Sequence, residues 1–464
     1  PIYDYPNERA TFECILTVDN KLKAISNGEL VSFQDNKDGT HTFHWRENFP
    51  MVGYLISFVI GDYVKVEDNH KDVPVAYWVY PENKNEAFRS FGKTPDMIDY
   101  FNNLTGVSYP FEKYDQIIVS EFMWGGMENI TLTHNSDRTM FDSKAHPDHS
   151  SDGLVAHELA HQWFGDMITT RNWANIWLNE GFATFFSRLY LTKDRGDDEG
   201  DYIRLGEIRS FKRADKNKRR PTVDFVYDEP FELFSSHVYA KGSLILTMLR
   251  DVLGEEGFWR SIRNYTNENK LKNVETNDLK KTIEMTTGQN LDWFFKQWLY
   301  EPGFPNYDVS WNYNQRKKEL SIHVKQTQDL KTTSLFKMPI KIIVDSGEKK
   351  EHVIWVDNLD SVYKIKSDKR PKMVIFNSGQ RVPSNLKMQK SVADLKYQLQ
   401  NASNALDRIW AAQELSKKKG RKVVEYTLME AAKKDPFWAV RKEAYTSLGR
   451  LKTKIISEDI DWVK

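Results

Sequence analysis

The chain has 464 residues, more than a single hydrophobic core usually holds, so several domains are predicted. Its 66 basic and 66 acidic residues give a formal net charge of zero, which removes the electrostatic argument for nucleic acid or an anionic membrane as a partner. No apolar run approaches the roughly 18 to 20 residues of a membrane span, and a lone cysteine, Cys14, excludes an intrachain disulfide. Compartment and oligomeric state stay open.

Residues 1–72 are predicted to be the end of an N-terminal β domain. Apolar residues alternate with mostly polar ones over residues 12–18 and again over 54–60, and both patterns indicate half-buried strands. The sequence begins at Pro1 without an initiator methionine. We therefore expect a leader or a larger N-terminal portion to precede it.

Residues 73–305 are predicted to form a mixed α/β domain. A strand at 75–80 is followed by an amphipathic stretch at 88–104 and by a second strand at 117–120. Ser151 and Asp152 can cap a helix that runs through His161, and residues 177–191 have apolar side chains at helical spacing. Helices are expected to continue to about residue 300.

Two further regions follow the Pro- and Gly-rich segment 301–305. Alternating strands at 309–313, 320–324 and 338–344 predict a small β-sandwich over 306–386. In 387–464 a shift of 33 residues superposes Arg408 on Arg441, as in paired-helix repeats of the HEAT type. Fewer than three repeats cannot form a stable solenoid alone, so we expect this helical region to be incomplete. The predicted fold class is multidomain α+β.

The strongest chemical signal is the segment 157–161 (HELAH). His157 and His161 are four residues apart on a helix, so their side chains lie on one face about 5 to 6 Å apart at Cβ and can share one tetrahedral ion. Glu158 can accept a proton from a metal-activated water near neutral pH. Two solvated histidines beside a glutamate are the ordinary alternative for such a short pattern.

A second helix supports the catalytic interpretation. Glu180, in the segment 177–183 (WLNEGFA), can supply the third ligand beside His157 and His161. Three protein ligands without cysteine leave a fourth position open, which is typical of catalytic zinc and not of structural zinc. The sequence therefore predicts one catalytic Zn²⁺ per chain.

The segment 125–129 (GGMEN) follows the strand at 117–120 and is a weak signal alone. Gly125 and Gly126 let a backbone approach a ligand closely, and Glu128 could bind an ammonium group. A Gly-Gly turn with a glutamate at the surface is the ordinary alternative.

Together these motifs resemble the zinc aminopeptidases of the aminopeptidase N type, a gluzincin metallopeptidase family. The resemblance rests on GGMEN, on HELAH, and on Glu180, which eighteen intervening residues separate from HELAH. It extends to residues 1–6 (PIYDYP) and to 238–243 (VYAKGS), and so covers nearly all of the chain. It implies a thermolysin-like fold for 73–305 and an exopeptidase that acts on peptides with a free N-terminus.

The resemblance also assigns roles to individual residues. It implies that Glu128 binds the α-amino group of the substrate, that Glu158 is general base and then proton donor, and that Tyr239 stabilises the oxyanion. The substrate chain would lie along Gly125, Gly126 and Met127, and Trp124 would wall a pocket for a bulky apolar side chain. The loss of one oxyanion donor typically costs a factor of about a hundred or more in rate.

The sequence departs from the family pattern in two places. Ile130 and Thr131 follow the motif where many relatives carry a glycine, so we expect a different local backbone there. The family's second amine-binding residue belongs upstream of residues 1–6, outside this sequence.

Two other functions are compatible with parts of the pattern. A hydrolase of the leukotriene A4 hydrolase type pairs the same zinc site with epoxide chemistry, but that type lacks the sandwich predicted at 306–386. A non-catalytic scaffold with a peptidase fold would be expected to lose zinc ligands. Here all three ligand positions, the base and the tyrosine are occupied.

Overall fold

The computed structural model describes residues 2–146, 148–420 and 422–452, which form two compact units. The first unit comprises Pro1–Asp194 and Arg220–Phe295, and the second comprises Arg195–Arg219 and Lys296–Lys464. Both contain helices and strands, which agrees with the predicted mixed α+β class. The boundaries predicted after residues 72, 305 and 386 stay predictions. Pro1 of the PIYDYP segment and the predicted helical region beyond Lys452 lie outside the described residues.

The strands follow one another along the whole chain. They are β1 (Arg9–Asp19), β2 (Lys23–Ser26), β3 (Glu29–Asp35), β4 (Thr40–Val52), β5 (Phe58–Gly61), β6 (Val64–Asp68), β7 (Val75–Val79), β8 (Tyr114–Val119), β9 (Gly126–Met127), β10 (Leu132–Ser136), β11 (Ile168–Thr170), β12 (Lys272–Val274), β13 (Asn306–Asn314), β14 (Glu319–Gln326), β15 (Met338–Asp345), β16 (Lys349–Val356), β17 (Asp360–Lys366), β18 (Met373–Phe376) and β19 (Asn385–Met388).

The α-helices fall mainly in the middle and at the end of the described chain. They are α1 (Ala87–Phe91), α2 (Thr94–Thr105), α3 (Asp152–His161), α4 (Trp177–Arg195), α5 (Asp197–Asn217), α6 (Ala240–Glu268), α7 (Thr276–Thr287), α8 (Asp292–Phe295), α9 (Val392–Asn401), α10 (Ala405–Ser416), α11 (Lys422–Lys434) and α12 (Trp438–Leu451).

The first unit is built on several sheets. Its N-terminal part has an antiparallel sheet of order β1-β4-β3 and the pair β2-β5, and a mixed sheet of order β6-β7-β8-β10-β9 follows. Strands β7, β8 and β10 run parallel to one another, whereas the short strand β9 pairs antiparallel with β10 at the edge of the sheet. This edge position places the GGMEN segment next to helix α3, whose end carries the HELAH motif.

Aromatic side chains form much of the core around helices α3 and α4. Phe101 contacts Trp163 and Phe186 with ring centroids 6.0 and 5.5 Å apart, and Trp163 is fully buried. Burial of such large apolar side chains, each contributing roughly 1.5 to 3 kcal/mol, holds α2, α3 and α4 in fixed relative positions. A rigid support of this kind suits a site whose donor atoms must be placed to within a few tenths of an ångström.

One predicted strand is wrong in most of its length. Gly53–Leu55 form a short 3-10 helix, and within the predicted range 54–60 only the last three residues belong to a strand, β5 (Phe58–Gly61). The alternation also has the opposite sense, because Leu55 is buried whereas Phe58 and Ile60 are 56% and 43% exposed. The carbonyl group of Leu55 accepts hydrogen bonds from the side chains of Asn27 and Asn129, contacts that the local pattern does not contain.

The second unit combines helices with two sheets whose strands are mostly antiparallel. The sheets have the orders β17-β14-β13-β19 and β16-β15-β18, and Tyr307 of the first contacts Phe376 of the second with ring centroids 5.2 Å apart. Helices α9 to α12 and α5 enclose a separate apolar core that includes Leu205, Leu406 and Leu448. No helix among the described residues combines the length and apolar character that a membrane crossing requires.

Candidate metal centre and active site

Helix α3 presents the two predicted histidine ligands on one face. The Nε2 atoms of His157 and His161 lie 3.1 Å apart. His161 is buried, whereas 18% of the His157 side chain is exposed. Nδ1 of His161 lies 3.0 Å from the carbonyl oxygen of Phe164, which can only accept a hydrogen bond. Nδ1 therefore carries the proton, and Nε2 is left as a donor atom for a metal.

Helix α4 brings Glu180 to the same point. Its Oε2 atom is 3.3 Å from Nε2 of His157 and 3.3 Å from Nε2 of His161. Burial by itself would raise the pKa of Glu180, but the adjacent His161 and His157 oppose this effect and hold the pKa at about 2. The third predicted ligand is thus a carboxylate over the whole neutral pH range.

The three donor atoms have the spacing that one zinc ion needs. They form a nearly equilateral triangle with sides of 3.1, 3.3 and 3.3 Å. A tetrahedral ion with bonds of about 2.0 to 2.1 Å holds its ligand atoms about 3.3 Å apart. Two imidazoles and one carboxylate are also the donor set of open, catalytic zinc sites. The residues therefore fit a single tetrahedral cation.

Glu158 lies beside this triangle and is buried. Oxygen and nitrogen atoms of Glu158, Glu128 and His161 come within 4.8 Å of one another. Burial raises the pKa of Glu158, and the carboxylates of Glu128 and Glu180 add to the rise while His161 opposes it. A carboxyl group whose proton affinity is raised in this way is suited to general-base catalysis.

The backbone at Gly126 makes room for Glu158. A Cβ atom added at Gly126 would lie 2.5 Å from Cδ and 2.7 Å from Cγ of Glu158, closer than any real Cβ contact. A Cβ atom at the neighbouring Gly125 would meet only the methyl groups of Leu154, at 3.3 and 3.7 Å. Only Gly126, the second glycine of the pair, is therefore required by the position of Glu158.

Glu128 of the GGMEN segment belongs to the same cluster of side chains. Glu128 is only 7% exposed, which excludes the alternative of a glutamate at the surface. Burial raises its pKa. Met127 lies on β9 opposite His134 of β10. Trp124, directly before the motif, is half exposed and stacks on Phe231 with ring centroids 6.2 Å apart and planes 16° apart.

Tyr239 immediately precedes helix α6 and faces the donor atoms. Its ring lies 6.1 Å from the ring of His157, with the two planes 21° apart. Burial raises the pKa of the Tyr239 hydroxyl well above its usual value, and the neighbouring Glu180 and Glu128 raise it further. The phenol therefore stays protonated and can donate a hydrogen bond.

Two glycines bring the helices of Glu180 and Tyr239 together. A Cβ atom added at Gly181 would lie 2.8 Å from Cα of Gly242, and one added at Gly242 would lie 2.7 Å from Cα of Gly181. The backbones of α4 and α6 thus touch directly, one residue after Glu180 and three residues after Tyr239.

We expect the Gly181→Ala variant to lose about 3 kcal/mol of unfolding free energy, because its methyl group would force two backbones apart. Urea unfolding measures this loss. Gly257→Ala on the same helix α6 is the matched control: its Cβ atom would make ordinary contacts at 3.6 and 3.8 Å, so we expect no loss or a gain of up to about 1 kcal/mol. Equal stability of the two variants would contradict the close packing.

Comparison with known proteins agrees with this geometry. The description "Peptidase family M1 domain" matches residues 89–298, which contain every residue of the candidate site, and "Peptidase M1 N-terminal domain" matches residues 1–55. The chain belongs to the M1 peptidase family. The resemblance to zinc aminopeptidases that the motifs carry is therefore confirmed.

Curated relatives of this M1 chain are named as aminopeptidases. "Probable aminopeptidase 1" of Sulfurisphaera tokodaii is 30% identical over 312 residues, which make up 66% of this chain and 40% of the relative. "Glutamyl aminopeptidase" of Bos taurus is 30% identical over 332 residues, 68% of this chain and 34% of the relative. "Leucyl aminopeptidase" of Saccharolobus solfataricus is 29% identical, with 67% and 40% covered. The M1 chain thus spans less than half the length of these relatives.

A solved structure shows the same fold. The crystal structure of Legionella pneumophila aminopeptidase A in complex with aspartic acid superposes with a TM-score of 0.82 at 20% sequence identity. The match covers 98% of the M1 chain and 55% of the other chain. At this identity the similarity concerns the fold.

The site of this M1 chain includes a residue that sequence reasoning missed. Gln162 directly follows His161 and is fully buried. Its Nε2 donates to the carbonyl oxygen of Glu128 at 3.2 Å and to Asp166 Oδ2 at 2.6 Å. Its Oε1 accepts from the backbone N–H of Thr131 at 3.1 Å and from the hydroxyl of Tyr109 at 2.9 Å. Nothing in the local sequence except its position next to the second histidine pointed to it.

Proposed function

We propose that the protein is a zinc-dependent aminopeptidase that removes the N-terminal residue of peptides. The observation that supports this most directly is the triangle of donor atoms from His157, His161 and Glu180 with the carboxyl groups of Glu158 and Glu128 beside it. Metal ligands, a buried base and a second buried acid within one small volume are what hydrolysis of a bond next to a free amine requires.

His157, His161 and Glu180 would hold one Zn²⁺ per chain. When bound, the ion supplies Lewis acidity that activates water and polarises the scissile carbonyl group. Glu158 removes a proton from the attacking water and later delivers that proton to the nitrogen of the departing peptide, so protons balance over the cycle. The Tyr239 hydroxyl donates a hydrogen bond to the oxygen on which negative charge develops.

Recognition of the free N-terminus falls to Glu128. Its buried carboxylate can pair with the α-ammonium group of the substrate, and the attraction between the two charges is strong because it acts in an interior of low dielectric constant. We propose that the substrate backbone lies along Gly125, Gly126 and Met127. The stacked rings of Trp124 and Phe231 would then form an apolar wall for the first side chain.

The finer fold assignments are part of the same proposal. We propose a thermolysin-like catalytic domain over 73–305, a small β-sandwich over 306–386, and a helical region of the HEAT type from 387 onwards. Peptides with a free N-terminus are the proposed partners.

The decisive experiment compares an arylamide of leucine with its N-acetylated counterpart. We expect release of arylamine from the free-amine substrate and at least about a hundredfold slower release from the acetylated one, since acetylation leaves Glu128 buried without a cation. Chelation of the metal should abolish the activity, and stoichiometric Zn²⁺ should restore it.

Each arm of this experiment has an outcome that would contradict it. Equal cleavage of the two substrates would exclude an aminopeptidase, and full activity of a metal-depleted preparation would exclude the zinc mechanism. Elemental analysis of the purified protein supplies the independent check, with one zinc per chain as the expected value.

A further inference from the structure

Thr131, three residues after Glu128, has an unusual backbone conformation. Its φ angle is 60°, in the left-handed region. This region suits glycine and is unfavourable for a β-branched residue such as threonine. The residue is also fully buried, so the strained segment is held inside the protein and not at a mobile surface. A glycine would adopt the same conformation more easily. The presence of threonine at this position must therefore be explained by its side chain.

The Thr131 hydroxyl supplies that explanation. Its Oγ1 accepts a hydrogen bond from the backbone N–H of Gly28 at 2.7 Å, lies 3.2 Å from Oε2 of Glu47, and lies 2.6 Å from the carbonyl oxygen of Ile130. Gly28 and Glu47 belong to the N-terminal β strands and turns of the first unit. The hydroxyl therefore links the backbone two residues after the GGMEN segment to the turn that contains Gly28.

The backbone of Thr131 makes two further hydrogen bonds. Its N–H donates to Oε1 of Gln162 at 3.1 Å, and its carbonyl oxygen accepts from the N–H of Asp115 at 3.0 Å. Gln162 also binds the carbonyl oxygen of Glu128, so one amide side chain joins the metal-binding helix to both ends of the segment 128–131. These bonds are buried, where each is harder to break than in water.

We propose that Thr131 is a positioning residue whose hydroxyl holds the Glu128 carboxylate at the place where it binds the substrate's α-amino group. This inference rests on the proposed aminopeptidase function. Thr131 acts on Glu128 through three residues of backbone. It fixes the segment 128–131, and this segment places the Glu128 side chain within 4.8 Å of Glu158 and His161. Thr131 itself touches no substrate.

The test measures how much the amino group contributes to binding. Leucine hydroxamate and 4-methylpentanohydroxamate differ only in that the second lacks the amine, so the ratio of their inhibition constants reports the Glu128 contact. We expect the ratio of the two inhibition constants to fall about tenfold in Thr131→Gly and Thr131→Ala, since both variants lose the buried bond from the Gly28 N–H to the hydroxyl. Thr131→Ser keeps the hydroxyl and should keep the ratio. With leucyl arylamide, the loss should appear in KM with kcat little changed.

A control and a rival explanation accompany the test. Thr266→Ala removes another fully buried hydroxyl, which bonds the carbonyl oxygen of Ile262 at 2.8 Å on helix α6, and should leave the inhibition ratio unchanged. If the residue mattered only through its backbone conformation, Thr131→Gly would keep or exceed the wild-type ratio of inhibition constants, because glycine adopts a positive φ angle most easily. That pattern, or an unchanged ratio in all three variants, would overturn the positioning role. A wild-type protein that cleaves no free-amine substrate would instead overturn the proposed function.

Discussion

The Glu158→Gln variant should lose at least about a thousandfold in kcat, because an amide cannot accept the proton of the attacking water and general-base catalysis contributes roughly 10² to 10⁴ in rate. The substitution is nearly isosteric, so the packing of the side chain on Gly126 is retained. KM for leucyl arylamide should change little, since Glu158 is proposed to act in the transition state and not in amine recognition.

Zinc content separates loss of the base from loss of the metal. The donor triangle is formed by His157, His161 and Glu180 without Glu158, so the variant should still bind one zinc ion per chain. Glu13→Gln, an exposed glutamate on β1, is the matched substitution that should leave both zinc and turnover unchanged. Full turnover of Glu158→Gln with zinc bound would show that another group activates the water.

The candidate metal centre was predictable from the sequence because most of its geometry is local. The pairing of His157 with His161 follows from helical periodicity alone, once Ser151 and Asp152 mark the start of a helix. The prediction of Glu180 as the third ligand required only that a second helix lie beside the first. The observed sides of 3.1 to 3.3 Å agree with the ligand set that this spacing predicts.

Other parts of the site depend on contacts between residues far apart in the sequence. Tyr239 is one of 21 tyrosines, and only the family resemblance marked it. The periodicity of the sequence does not reveal the direct contact of Gly181 with Gly242, because a glycine can occur within a helix for many different reasons. The same holds for Thr131: the sequence indicated a departure from the family pattern, whereas the compensating bonds come from Gly28 and Gln162.

The fold was predictable to a similar degree. Alternation marked β1 correctly, and the strand predicted at 75–80 is β7. Capping residues marked α3, and helical spacing marked α4. The failure at 54–60 has a physical cause: Asn27 and Asn129 draw the backbone of Leu55 into the interior, and this tertiary demand overrides the local alternation.

The Gly126→Ala variant should lose about a hundredfold in kcat although no catalytic group is changed. The added methyl group would lie 2.5 Å from Cδ of Glu158, so the carboxyl group must move by about an ångström, and displacements of that size can cost a factor of about 10². Zinc content should stay at one per chain, since the ligands are not displaced. The rate of leucyl arylamide cleavage measures the loss.

Gly125→Ala is the matched control for this variant, one residue away in the same motif. Its methyl group would contact only the flexible end of Leu154, at 3.3 Å, and neither glycine is in the positive-φ region that excludes alanine. We therefore expect Gly125→Ala to leave Glu158 in place and to lose far less in kcat than Gly126→Ala, although its methyl group borders the proposed path of the substrate backbone. The difference between the two variants isolates the contact with Glu158, because both make the same chemical change in the same segment. Equal activities would mean that Gly126 serves the substrate backbone alone and that Glu158 tolerates a shift in position.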